Sequence, residues 1–184
     1  MVALTVRPLT YDDLLETPND GRWYEILSGE MIVSPAPILR HQELVTRLAV
    51  LLYNFVVAHK LGVVYGAAPN VRLSPYDIVQ PDIVFVSEAR AGILQGLMIE
   101  GAPDLVVEVF SPSTRQLDQA RKAATYAAFG VREYWMVDPV LETILVQELV
   151  DRAYRLVPQE AGFARSVVLD GLVVDVAALF AGLR

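Results

Sequence analysis

Two acidic residues stand where acidic residues are expensive. Glu108 lies between Val107 and Val109 in DLVVEVF (104–110), an otherwise apolar strand pattern. A carboxylate in such a run costs free energy unless it is paired or binds a metal. Asp82 opens the preceding apolar run, DIVFV (82–86), directly after Pro81. If the two runs pair as antiparallel strands, the start of one lies beside the end of the other. The carboxylates then meet at one end of a sheet. Alternation puts Asp82, Val84 and Val86 on one face of the first strand, and Val106, Glu108 and Phe110 on one face of the second. Adjacent carboxylates repel, and a hard divalent cation resolves that repulsion. Mg²⁺, or Mn²⁺ in its place, takes one or two carboxylates and keeps several waters. The Val109 carbonyl is a candidate third ligand.

A cation from the protein is placed nearby. The chain after Glu108 reads as a helix over 114–129, and Asp118, Lys122 and Tyr126 fall at i, i+4 and i+8 on one face of it. Lys122 can therefore reach back toward the carboxylates. Two carboxylates, a divalent metal and a lysine suffice for metal-assisted phosphodiester hydrolysis. The metal acidifies a water and neutralises charge on phosphorus oxygens. The lysine orients the water or stabilises transition-state charge. Plainer roles compete: a turn aspartate after proline for Asp82, a salt-bridged strand residue for Glu108, and a solvated lysine paired with Asp118 for Lys122.

The remaining candidates sit further from this pair. Glu25 and Glu30 share the polar face of an N-terminal hairpin, where Glu25 could complete a metal or water shell. His41 opens the first long helix as a cap or a site-lining group. Gln80 precedes Asp82 and could contact substrate or water, and Tyr126 is core or site-lining. His59 favours the dipole at a helix end. Trp23 and Trp135 read as packing residues.

The elements that must position these residues follow from local pattern. Thr10 with Asp13 resembles a capping box opening a short helix at YDDLLET. WYEIL and EMIV flank Ser28-Gly29, a hairpin signal that pairs Leu27 with Glu30 and Glu25 with Ile32. Glu25, Leu27, Glu30 and Ile32 then share one face, and Tyr24, Ile26, Met31 and Val33 the other. After SPAP (34–37), helical spacing of Leu44, Leu48, Leu51, Leu52 and Phe55 predicts a helix over 39–60, stopped by Gly62. Strands are expected at 63–67, 71–73, 82–86, 104–110 and 133–137. Pro75, Tyr76 and Asp77 make a turn, and a long connection fills 87–103. Ser113 with Gln116 can cap the second long helix, which Gly130 ends. TILVQEL, YRLV, RSVVL and LVVDVAALF predict short C-terminal strands and a final short helix. The order gives a mixed α/β (α+β) sheet with helices on its faces, in a single domain over 1–184.

Composition narrows the chemistry. Fifteen Lys and Arg against 22 Asp and Glu give a net charge of −7, with no Cys and two His. Thiol catalysis, disulfides and His-rich metal sites are excluded. The acidic balance argues against broad attraction to nucleic acid, so such contacts must be local or carried by cations. A hydrophobic fraction of 54% excludes disorder and favours a homo-oligomer, with a dimer expected through the first long helix or the C-terminal strands. The most apolar helical stretch, Leu48–Ala58, is short of the ~20 residues that span a membrane. No secretory signal is visible, and a cytoplasmic location is expected.

Several segments together resemble a known family. Gln-Pro-Asp at 80–82, VVEVFSPST at 106–114, Asp118, Lys122 and Tyr126, and GVREYWMVDP at 130–139 are similar to the Uma-type restriction-endonuclease-like proteins of the PD-(D/E)XK nuclease superfamily. The run YEILSGEMIVSPAP with His41 is similar to that family's N-terminal half. The resemblance covers roughly residues 8–150. It implies a core of αβββαβ, joined here by the N-terminal hairpin and extra C-terminal strands. It also implies that the motif lysine, expected where this chain has Phe110, has migrated to the helix as Lys122. The expected activity is Mg²⁺-dependent hydrolysis of DNA, less readily of RNA, with Asp82, Glu108, Lys122 and Glu25 as catalytic residues. The rival expectations are a catalytically silent nuclease-fold module that binds a protein or nucleic acid, and a phosphodiesterase for small nucleotides.

Overall fold

The computed structural model describes residues 7–110 and 116–183, with side chains from residue 119 onward in the second segment. The Ser111 and Ser113 region, including the Ser113–Gln116 cap, and the Asp118 side chain lie outside the described residues. Helix α1 (Tyr11–Leu15) opens with the expected capping box of Thr10 and Asp13, in which the Thr10 N–H donates to Asp13 Oδ2 at 2.8 Å. Strands β1 (Trp23–Leu27) and β2 (Glu30–Ser34) form the hairpin in the expected register, Leu27 opposite Glu30 and Glu25 opposite Ile32. Ser28 and Gly29 both adopt positive φ, as a tight two-residue turn requires.

Helix α2 (Leu39–His59) buries Leu44, Leu48, Leu52 and Val56 along one stripe. It ends on Lys60 in the left-handed conformation, two residues before the expected glycine stop. Gly62 serves another need: a Cβ there would meet the Val86 carbonyl oxygen at 2.2 Å, so only glycine lets the next strand lie against its neighbour.

The strands that follow are β3 (Gly62–Gly66), β4 (Val71–Ser74), β5 (Asp77–Val79), β6 (Ile83–Ser87), β7 (Leu94–Gln95), β8 (Met98–Glu100) and β9 (Leu105–Val109). Helix α3 (Gln116–Phe129) leads to β10 (Glu133–Asp138), β11 (Thr143–Val150) and β12 (Ala153–Leu156). A small pair, β13 (Phe163–Arg165) and β14 (Val173–Asp175), precedes α4 (Val176–Phe180). The main sheet runs β12-β11-β10-β9-β6-β3 and a second sheet runs β2-β1-β5-β4-β8-β7. In the main sheet β3, β6 and β9 are antiparallel neighbours, and α3 crosses over to place β10 parallel to β9. The series α2-β3-β6-β9-α3-β10 is the αβββαβ core.

Three expectations need correction. The 71–73 strand is outside that core and extends the hairpin sheet, as do β5, β7 and β8. Asp77 is not spent on the turn. It opens β5 and its carboxylate accepts from the Ser28 N–H at 2.8 Å and the Ser74 hydroxyl at 2.6 Å. Of RSVVL only Arg165 lies in a strand, because the backbone N–H groups of Val167 and Val168 donate to Glu133 instead of a ladder.

The main sheet has two packed faces. Ile83, Phe85, Leu105, Val107, Val109, Trp135 and Val137 pack with α2 and with Leu179 and Phe180 of α4. Val84, Val86, Val106 and Tyr134 pack with Tyr126 of α3 and with Leu27, Val71 and Val79 of the second sheet. On α2, Val50, Leu51, Tyr53 and Val57 remain exposed. Among the described residues no helix is long and apolar enough to cross a membrane.

Candidate active site

The β6–β9 ladder pairs Ile83 with Val107, Val84 with Val106 and Phe85 with Leu105. Extending that antiparallel register by one step sets Asp82 across from Glu108. Asp82 ends the short link, Gln80-Pro81-Asp82, by which the chain passes from the second sheet to the main one. Its two oxygens are held from different directions. The Val109 N–H donates to Oδ2 at 2.7 Å, and His41 Nε2 on α2 meets Oδ1 at 2.9 Å. Since a carboxylate only accepts, that contact places a proton on Nε2.

Glu25 arrives from the hairpin. Its Oε1 accepts the Gln80 N–H at 2.7 Å and lies 2.8 Å from Lys122 Nζ. Lys122 also donates to Glu108 at 3.0 Å and 3.2 Å, and the Tyr126 hydroxyl donates to Glu108 Oε1 at 2.7 Å. One ammonium thus stands between two carboxylates, with a third, Asp82, close by. Burial, opposed by Lys122 and reinforced by the charges of Glu25 and Asp82, pushes the Glu108 carboxyl up to about 7. Burial works against the Lys122 ammonium, but Glu108 and Glu25 together outweigh it and hold the group above the ordinary lysine range. Burial likewise raises the phenols of Tyr126 and Tyr134.

These groups border a pocket of about 390 Å³. Its walls include Glu25, Asp82, Glu108, Val109, Lys122, His41 and Gln80. Met31–Pro35 and Pro37, where the proline-rich segment breaks β2, contribute the rim. Tyr126 is core and site at once: fully buried, yet bonded to Glu108. Gln80 lines the pocket, with its amide also donating to Asn70 Oδ1 at 2.9 Å.

Other expectations change. Glu25 is not on a solvated face; it is 4% exposed, because that side of the hairpin docks against α3. Glu30, expected beside it, is exposed at the hairpin turn and pairs with Arg121 at 2.8 Å, outside the pocket. Trp23 is half-buried in the pocket wall rather than packed in the core. Tyr134 was not singled out by the sequence. It is fully buried, lines the pocket, and its hydroxyl has no hydrogen-bond partner. The strand pattern held a signal for it, since alternation sets Tyr134 on the face of Met136, the residue paired with Glu108. Among the described residues no three His, Cys, Asp or Glu side chains converge as a closed metal cage.

An αβββαβ core with acidic residues meeting at the strand end defines the restriction-endonuclease-like fold. The family model Uma2, described as "Putative restriction endonuclease", matches residues 10–177. The chain belongs to the Uma2 family, which places it among nucleases. A solved structure similar to it is that of "a putative nuclease belonging to DUF820" from Anabaena variabilis ATCC 29413. The two share 19% identity with a TM-score of 0.79, over 96% of this chain and 100% of the other. No curated protein matches the chain.

Proposed function

We propose that this protein is a Mg²⁺-dependent nuclease that hydrolyses phosphodiester bonds of DNA. The observation that carries the reading is Asp82 and Glu108 at one strand end, with Lys122 set between Glu108 and Glu25. The donor set fits a hard divalent cation. Buried carboxylates outnumber the ammonium, and Mg²⁺ needs only one or two of them because it keeps its own waters. Asp82 and Glu108, with the Val109 carbonyl, would hold it. When bound, the cation acidifies water and offsets charge on the phosphorus oxygens.

The chain's own groups do the positioning. His41 and the Val109 N–H fix the Asp82 carboxylate, and Tyr126 fixes Glu108. Lys122, kept charged by its two carboxylates, acts as a fixed cation that orients the attacking water and stabilises phosphate charge. It does not serve as the base. Glu25 holds Lys122 and the Gln80 backbone in place. The Tyr134 hydroxyl is a donor for a phosphate oxygen or a water in the pocket. The two sheets share one packed face, which supports treating residues 1–184 as a single domain.

The test is calorimetric titration with Mg²⁺ and Mn²⁺, alongside cleavage of single- and double-stranded DNA. Saturable binding and cleavage, both lost in Asp82→Ala and Glu108→Ala variants that remain folded, are expected. Cleavage at the wild-type rate in Asp82→Ala would sink the assignment. A folded wild type that binds no metal, even with DNA present, would leave a silent nuclease-fold binding module.

A further inference from the structure

A second chamber, of about 510 Å³, lies between α2 and β3 beside the carboxylate pocket. The two share Trp23, Pro37, His41 and Asp82. Beyond that seam the lining changes character. Val45, Ala49, Val50 and Val64 are aliphatic, Tyr53 adds an aromatic ring, and Gln42 and Thr46 are neutral polar groups. Among the described residues no lysine or arginine lines it. A phosphate therefore meets no cationic side chain there.

One group asks for a ligand of a particular kind. His41 is only 8% exposed, and with Nε2 given to Asp82 its Nδ1 is buried without a partner. Nδ1 accepts in the neutral ring and donates in the imidazolium. An aliphatic occupant, such as the apolar face of a second copy, would leave that nitrogen unmet in either state. A flat heteroaromatic ring carrying both N–H donors and ring-nitrogen or carbonyl acceptors would satisfy it while packing against the aliphatic wall and the rings of Trp23 and Tyr53.

We propose that this chamber is a nucleobase pocket, which takes the base of a nucleotide whose phosphate lies at Asp82 and Glu108. The assignment rests on the nuclease reading for that phosphate, and it deepens that reading. A base can enter only when it is out of the stack, so the substrate is a single strand, a strand end or a flipped nucleotide. The net charge of −7 agrees, since a grip on continuous duplex relies on many phosphate contacts from lysine and arginine.

The experiment measures Trp23 fluorescence during titration with free 2′-deoxynucleosides, deoxyribose 5-phosphate and Mn²⁺ separately. The chain's other tryptophan, Trp135, is fully buried, and Trp23→Phe identifies the responding ring. Nucleosides should quench Trp23 saturably and deoxyribose 5-phosphate should not. Ala49→Phe, which fills the chamber, should weaken nucleoside binding at least ~10-fold while Mn²⁺ still binds. Tyr53→Ala, at an exposed helix position that tolerates change, should weaken it as well. Absence of nucleoside binding in a protein that binds Mn²⁺ and cleaves DNA overturns the chamber and leaves the nuclease intact. Nucleoside binding that neither variant affects overturns it too, as does a dimer that Tyr53→Ala dissociates in a protein blind to nucleosides. Nucleoside binding lost in both variants of a protein without metal binding or cleavage upholds the chamber and removes the nuclease reading.

Discussion

Glu108 and Glu133 are both buried glutamates on adjacent parallel strands, and the chain treats them in opposite ways. Glu133, at the start of β10, is met by neutral donors: the Trp135 indole N–H, the Ser166 hydroxyl at 2.8 Å, and the Val167 and Val168 N–H groups at 3.0 and 2.7 Å. One donor is two residues on, and the others come from the distant segment 166–168. Glu108, at the end of β9, meets one ammonium and one phenol, and two further carboxylates stand nearby. A carboxylate kept for structure is surrounded by fixed dipoles and brings no second charge with it. The proposed catalytic carboxylate stands instead in an unbalanced cluster, the setting an incoming cation would complete.

The comparison breaks most sharply at Lys122. Lys122→Met removes the ammonium that bridges Glu25 and Glu108. It should cost about 3–5 kcal/mol, as losing one partner of a buried ion pair does. Added Mg²⁺ should recover part of the loss, read as a rise in Tm that wild type shows less strongly. Glu133→Ala comes next. It strands several buried donors and should cost about 1–3 kcal/mol in chemical denaturation. Its Mn²⁺ affinity should match wild type, and a loss of metal binding would erase the distinction drawn here.

Tyr134→Phe sharpens the contrast from inside the pocket. Deleting a buried hydroxyl without a partner should leave stability unchanged or raise it by ~1 kcal/mol, while DNA cleavage slows. A destabilised variant with full activity would mark the hydroxyl as structural. The smallest effect is in pH dependence. Burial raises the Glu133 carboxyl above its ordinary value of 4.5, with its donors acting the other way. The folded chain therefore holds that proton more tightly than the unfolded chain. Its contribution is full below about 4.5 and is lost as pH rises through the folded value. Glu133→Gln should flatten that part of the stability profile in thermal melts between pH 4 and 8.

The sequence exposed the parts of the site that break a local rule. A glutamate inside VVEVF and a lysine at i+4 from an aspartate are visible because each disagrees with, or repeats along, its own element. The core helices and strands were legible for the same reason, from clear periods of 3.6 and 2. Strands β5, β7 and β8 were not, since two or three residues carry no period. Glu25 was legible as a hairpin residue and not as a buried one. Its burial depends on which face α3 covers, and that is a tertiary choice. Tyr134 and Trp23 obey every rule of a packed aromatic, so nothing local separates them from core. Their place in the pocket wall becomes visible only when the sheets are assembled.

Glu25 belongs to one sheet, Glu108 to the other and Lys122 to its crossover helix, with Asp82 at the end of the link between the sheets. The Gln80-Pro81 link is the seam between them. The reactive geometry is thus a property of docking, absent from either half alone. A partly opened chain, with the hairpin sheet loosened and the main sheet intact, would keep most of its secondary structure and lose its alignment of charges. On the proposed nuclease reading, cutting power would then disappear before the fold does, and a half-made or damaged copy would be harmless to nucleic acid around it.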